Sequence, residues 1–123
     1  MNADLQELLS GMLNLKLVVM LREPTGRSMR DQDLREHLDW MIENEKAGII
    51  FASGPFVRNG VPPGADGGLT ILRVSGLEHA QEIAETDPFV IRGIISYRLH
   101  EWLLMEGGIT VKVSFSDRVA SIA

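Results

Sequence analysis

The chain has no cysteine, which removes disulfides, thiolate nucleophiles and thiolate metal sites together. Histidine is almost as scarce. His37, His79 and His100 are the whole supply, no two stand at ligand spacing, and no metal site is expected. No apolar run approaches the ~18 residues a membrane span requires, so no membrane partner is expected. Positive charge is also short, 12 Lys+Arg against 17 Asp+Glu for a formal charge of -5. The basic residues are scattered, whereas a nucleic-acid surface needs them gathered to displace counterions, so no nucleic-acid partner is expected. Repeats and low-complexity tracts are lacking. The glycines between 54 and 68 open no helix carrying the Lys or Ser/Thr of a phosphate cradle. That argues against a nucleotide, and no cofactor is expected.

What remains is an ordinary globular composition, 45% apolar and 24% charged in 123 residues. A chain of that size folds as one domain and buries roughly two-thirds of its unfolded surface, enough for a core without staples. The lack of cysteine suits a cytoplasmic location. Residues 1–14 read as an N-terminal extension and 15–123 as a single domain. The extension carries Asp4 and Glu7 where an export signal would carry Lys or Arg. Its Leu5, Leu8, Leu9 and Met12 recur at helical spacing, which fits either a short amphipathic helix or a partly ordered extension, and Met12 is a second candidate start.

Leu15 to Leu21 is a nearly continuous apolar run, as in a central strand covered on both faces, and the segment Arg22 to Arg27 breaks it. Ser28 then caps a helix from about Met29 to Ala47, with Asp31 three residues on and Gly48 closing it. Leu34, Leu38, Met41 and Ile42 form a stripe at the 3.6-residue period and are expected to lie on the sheet. At 100° per residue His37 falls about 60° from Leu34 and about 40° from Met41. It stands at the border between core and solvent, on the side shared with Arg30, Asp33 and Trp40.

Residues 49–53 and 68–74 read as short strands joined by a long loop, 77–85 as a second helix and 93–102 as a fourth strand. Ile109, Val111, Val113 and Phe115 alternate with Thr110, Lys112 and Ser114, so a half-buried extra strand is expected near the C-terminal end. The order βαββαβ plus that strand defines an α+β, ferredoxin-like fold, with both helices on one face of an antiparallel sheet. The other face needs cover, and two sheets meeting in a homodimer or higher homo-oligomer supply it.

His37-Leu38, Gly48, Ser53-Gly54-Pro55, Gly67-Gly68, Ala80 and Asp87-Pro88-Phe89 with Gly93 together resemble the YCII-related family, over roughly residues 15–102. The resemblance implies a ferredoxin-like fold assembled as dimeric α+β barrels, a His/Asp pair as the active site, and lyase-type activity on small cyclic compounds. It maps the family's histidine onto His37 and its aspartate onto Asp87. The first 14 residues and the segment 109–115 extend beyond the family's motif.

The residues themselves leave two readings of the pair open. An imidazole with one nitrogen anchored by a carboxylate is a competent proton acceptor near neutral pH, because the partner fixes the tautomer and stabilises the imidazolium. Yet Asp followed by Pro is equally a helix N-cap with Pro at N1, and His37 is equally an unpartnered histidine on a helix shoulder. His79 and His100 read as surface or structural residues. The functional reading is a small-molecule enzyme of lyase or isomerase type, in which His37, oriented by Asp87, abstracts a proton from a small ligand between the sheet and the first long helix. Arg27 or Arg30 would hold an anionic substituent, and Ser53, Gly54 and Pro55 would form the floor under the Gly-rich loop. Trp40 and Phe56 either line an apolar wall or pack. The alternative is a non-catalytic small-ligand-binding or interaction module of the same fold, the pair serving only as a structural hydrogen bond.

Overall fold

The computed structural model describes residues 1–122. Its elements run α1 Ala3–Ser10, β1 Leu15–Pro24, α2 Asp31–Lys46, β2 Ile50–Pro55, β3 Gly68–Leu72, α3 Leu77–Ala84, α4 Pro88–Ile91, β4 Ile95–Leu104, β5 Val111–Val113 and β6 Ala120–Ile122. The chain divides into two compact units, Lys16–Leu103 on the one hand and Met1–Leu15 with Leu104–Ala123 on the other. No helix among the described residues is long and apolar enough to cross a membrane.

The larger unit is the ferredoxin-like sheet, in the order β2-β3-β1-β4, with β3 antiparallel to both β1 and β2. The apolar run of β1 earns its central place: Leu17, Val18 and Met20 are at most 1% exposed. The strand does not stop at Leu21, however. Pairing of Arg22 with Gly68 carries the ladder past the apolar run, so the residue expected to break the strand lies inside it and is buried.

Paired residues share a face. Val18, Met20 and Arg22 therefore stand with Leu72, Thr70 and Gly68 on one side of the sheet. Onto this side α3 brings Ala80 and Ala84, one turn apart and fully buried, whose small side chains allow close helix approach. Ile50, Phe89, Ile94 and Ile95 complete the cluster. Burial of side chains the size of Met20 or Leu72 contributes roughly 1.5–3 kcal/mol each. Val19, Leu21, Leu69 and Ile71 lie on the opposite face and are only half-buried.

Helix α2 differs from its sequence reading in two ways. It begins at Asp31 with Arg30 as N-cap, two residues beyond Ser28, because the Asp33 carboxylate accepts the Arg30 backbone N–H at 2.9 Å. Its stripe is also not the buried face. Leu34, Leu38 and Ile42 are 37–49% exposed, while Asp33, His37 and Trp40 are buried. Each side chain of that buried face has a partner. Asp33 accepts from Arg30 and Arg92, His37 meets Asp87, and the Trp40 indole N–H donates to Thr86 Oγ1 at 2.9 Å. The helix thus leans its polar-edged side on the α3–α4 segment, and its leucines border open space.

The chain ends depart furthest from expectation. The alternating segment after residue 108 forms no half-buried strand of the main sheet. Val111–Val113 pairs with Ala120–Ile122 in a separate two-stranded sheet, and both strands are exposed throughout. Helix α1 forms where the sequence places it, with Asn2 capping the Leu5 N–H at 2.8 Å, and buries no residue.

Candidate active site

Asp87 ends the turn after α3 and is the N-cap of α4, with Pro88 at N1. Its Oδ1 accepts the Phe89 N–H at 2.9 Å, and it lies 2.8 Å from His37 Nδ1 on α2. A carboxylate oxygen only accepts, so Nδ1 carries the proton and donates, leaving Nε2 as the basic nitrogen. Nε2 has no protein partner among the described residues and is not among the buried unpartnered atoms. The Phe89 ring stacks on the imidazole with centroids 3.9 Å apart and planes within 1°, which fixes the ring from its second side. Asp87 is wholly buried, and its Oδ2 has no hydrogen-bond partner.

His37 lines a cavity of about 790 Å³ between α2, β2 and the β2–β3 loop. The exposed leucine stripe has its explanation here. Leu34, Leu38, Met41 and Ile42 line it together with Phe51, Pro62 and Pro63. The loop from Phe56 to Gly67 is held in a compact form by an Arg58–Asp66 ion pair at 2.7 Å and by mutual backbone bonds at its base. It contributes Gly64 and Ala65 to the lining.

Of the residues singled out in the sequence, His37, Arg27, Ser53, Gly54 and Pro55 all line this cavity, and Asp87 stands behind His37. Arg30 and Trp40 do not line it. Arg30 forms an ion pair with Asp33 at 2.9 Å beside a separate recess shared with Arg92, because the helix starts later than Ser28 and carries Arg30 round its end. Trp40 is turned into the core by its bond to Thr86. Asp33, in turn, is held well below the usual carboxylate range, first by its hydrogen bonds from Arg30 and then by Arg92. Phe56 is exposed and stands outside the lining.

Arg22 is the residue the sequence reading missed. It is 6% exposed, lines the cavity and donates to Thr70 Oγ1, which is 2.8 Å from Ser53 Oγ. Burial lowers its pKa, and the charge of Asp87 opposes that shift. Its signal was present: on a strand, Val18, Met20 and Arg22 are in phase, so a charge occupied a core-facing position. The pair Gly67-Gly68 makes room for it. A Cβ on Gly67, whose φ is +90°, would sit 1.9 Å from the Arg22 carbonyl oxygen, and one on Gly68 2.6 Å from Arg22 Nη2. No group of acidic, histidine or cysteine side chains that could hold a metal occurs among the described residues.

A search of the curated proteins finds no match to this sequence. Among solved structures the fold is similar to 5-chloro-2-hydroxyhydroquinone dehydrochlorinase (TftG) from Burkholderia phenoliruptrix, in complex with 2,5-dihydroxybenzoquinone. The similarity has a TM-score of 0.59 at 20% identity, over 70% of this chain and 92% of that one. Residues 16–103 match the YCII-related domain, and the chain belongs to that family.

Proposed function

We propose that the protein is a small-molecule lyase in which His37 Nε2 removes a proton from a small ring compound bound in the 790 Å³ cavity. The observation that carries this reading is the 2.8 Å contact between Nδ1 and a buried carboxylate on an imidazole whose other nitrogen has no protein partner among the described residues. Asp87 fixes the tautomer and stabilises the imidazolium as the proton arrives. The electrons of the broken C–H or O–H bond form a new double bond, and a leaving group departs with its own pair. Arg22 and Arg27, the two guanidinium groups lining the cavity, would hold an ionised oxygen of the substrate. The predominantly hydrocarbon walls suit a flat apolar ring. A structural relative whose name is that of a dehydrochlorinase, with a dihydroxybenzoquinone bound, supports a lyase on small cyclic substrates as the reaction class. Return of the proton to another carbon would make the same site an isomerase.

The Phe89 N–H bond to Asp87 favours one rival, a ligand-binding module in which Asp87 serves only as a cap. A panel of substituted hydroquinones, lactones and cyclic acids assayed with wild type and His37→Gln separates the two. Turnover by wild type that falls ~10²–10⁴-fold in His37→Gln, with binding retained, supports the lyase. Binding without turnover in both supports the module. We further propose that the half-buried face of Val19, Leu21, Leu69 and Ile71 pairs with that of a second copy in a homodimer. Light scattering that reports a monomer at micromolar concentration would remove this assembly. The setting we propose is cytoplasmic.

A further inference from the structure

Three side-chain contacts join α2 to the segment running from α3 into α4, and they follow one another as rungs. Asp33, His37 and Trp40 are spaced by four and three residues, so they share one face of α2 over about two turns. All three are buried. Their partners are Arg92, Asp87 and Thr86, in the reverse order along the chain. The His37–Asp87 pair is thus the middle rung, with an ion pair one turn before it and the Trp40–Thr86 bond nearly one turn after it.

Each outer rung is itself anchored. Asp33 accepts from the Arg30 backbone N–H at 2.9 Å, from Arg30 Nε at 3.2 Å and Nη2 at 2.9 Å, and from Arg92 Nη1. Arg92 Nη1 also meets Glu36 on the same helix, and the Arg92 carbonyl accepts from Arg27 Nη1 at 2.9 Å. The next carbonyl, that of Gly93, takes the Thr25 hydroxyl at 2.6 Å, which fastens the end of α4 to the residue after β1. At the opposite rung Thr86 accepts the Trp40 indole N–H at 2.9 Å and donates its own hydroxyl to the Ile83 carbonyl at 2.6 Å. The middle rung has less to hold it. Asp87 starts a helix of only four residues, which has no stability of its own, and His37 meets that helix through one hydrogen bond and the stacked Phe89 ring.

We propose that Asp33 and Arg92 are positioning residues for the His37–Asp87 pair: their ion pair sets the spacing of α2 and α4 at which Nδ1 and Oδ1 meet, and Trp40 with Thr86 holds the opposite end. Neither Asp33 nor Arg92 lines the 790 Å³ cavity, so they act through the pair and not on a substrate. The effect on turnover rests on the lyase reading; the effect on the imidazole does not. A misplacement of about 1 Å can cost ~10²-fold, and loss of a positioned base ~10²–10⁴-fold, so a loosened pair is expected to lose roughly 10–100-fold in kcat. Glutamine at position 92 removes the charge that reaches both Asp33 and Glu36. Asp33 keeps its three bonds from Arg30, so no bare carboxylate is left in the interior and the fold is retained. Lysine restores the charge without the fixed fork of the guanidinium. An ion pair that only stabilised the fold would leave the Nδ1 proton as it is.

The test uses the full chain, isotopically labelled on nitrogen, as wild type, Arg92→Gln and Arg92→Lys, with the His37 ring signals assigned by their loss in His37→Gln. Magnetic resonance of the wild type is expected to show a His37 Nδ1–H protected from exchange with water. In Arg92→Gln that proton should exchange about tenfold faster or more and the ring nitrogen shifts should move toward a mixture of tautomers, with Arg92→Lys in between. Unchanged exchange and shifts would overturn the proposal. On a ring compound that the wild type turns over, Arg92→Gln should lower kcat roughly 10–100-fold and change KM less than threefold. In an Asp87→Asn background the same substitution should cost less than twofold, and equal losses in both backgrounds would also overturn the proposal, since the loss would then not pass through the pair. If circular dichroism shows Arg92→Gln unfolded, Thr86→Val, a change of like shape at an exposed residue, carries the same measurements and the same outcomes on the opposite rung. A wild type that turns over no ring compound removes the lyase, and the exchange measurement then decides the positioning role alone.

Discussion

Asp87→Asn separates a carboxylate that orients a base from one that merely caps a helix. In the wild type, Oδ1 takes the Phe89 N–H and the His37 Nδ1 proton, while Oδ2 lies buried without a partner. Asparagine keeps one acceptor, and the cap survives where that oxygen stands in the place of Oδ1. Its amide N–H groups then have two places to go. Placed where Oδ2 was, they are buried donors without an acceptor, at a cost of roughly 1–3 kcal/mol. Turned so that the amide nitrogen stands where Oδ1 was, they donate to Nδ1, which moves the imidazole proton to Nε2 and leaves the cavity without a base and the Phe89 N–H without its acceptor. A positioned base contributes ~10²–10⁴-fold, which corresponds to about 2.7–5.4 kcal/mol of barrier at 1.36 kcal/mol per decade. Asp87→Asn is therefore expected to lose most of that turnover with a melting temperature only several degrees lower. Asp87→Ala should lose similar turnover and a further ~0.5–2 kcal/mol of stability, the cap being gone. The double variant with His37→Gln should turn over no more slowly than His37→Gln alone, since residues acting as one unit are not additive. Thermal melts and steady-state kinetics on the same preparations read both quantities. Full turnover in Asp87→Asn alongside a measurable stability loss would refute the orienting role and leave the cap.

Gly68→Ala places a Cβ 2.6 Å from Arg22 Nη2 and 2.8 Å from the Gly54 carbonyl oxygen, and backbone on that side cannot yield. A destabilisation of ~1–3 kcal/mol by denaturant titration is expected, with weaker binding of anionic ring ligands as Arg22 is displaced. The Tyr97 hydroxyl is pushed up to about 12 by burial and then by its bond to Glu85. The fold thus favours the protonated form, so this contribution to stability is complete below pH 10 and disappears as pH rises toward 12; Tyr97→Phe should flatten that alkaline slope. Phe89→Leu removes the ring stacked on His37 at 3.9 Å, and kcat should fall more than ligand affinity, whereas equal losses would make Phe89 a simple wall residue. Activity is expected to survive exhaustive chelation, checked by assay before and after EDTA.

The order of elements was legible because the apolar run of β1 and the period of α2 are strong, and the nearness of His37 and Asp87 was legible through their local motifs. What escaped was the rotation of α2. Periodicity identifies an apolar stripe but not what covers it, and here Leu34, Leu38 and Ile42 face a cavity while Asp33, His37 and Trp40 take the buried side. A stripe and a buried face coincide only when the polar residues beside the stripe lack partners in the interior. In α2 every one of them has a partner, from Arg92 to Asp87 to Thr86, and all three partners lie some 50 residues away in sequence. The same limit explains Arg30 and Trp40, assigned to the site from helical phase alone. The C-terminal alternation failed for a related reason: it predicted a face that needs burial, which is a statement about an assembly as much as about one chain.

The cap contact of Asp87 and its contact with His37 coexist in the structure. N-capping requires the carboxylate to turn back over its own helix start, and Pro88, which has no N–H to satisfy and a fixed φ, leaves the Phe89 N–H as the donor that Oδ1 meets. The oxygen so anchored is the one that receives His37 Nδ1–H. The cap is thus what holds the orienting atom still, at the end of a four-residue helix otherwise too short to be rigid. Phe89 then does for the ring plane what Asp87 does for the tautomer, by stacking on the imidazole from the same turn. In the proposed lyase, Asp87, Pro88 and Phe89 act as one device, the capped carboxylate fixing the Nδ1 proton and the stacked ring fixing the imidazole plane.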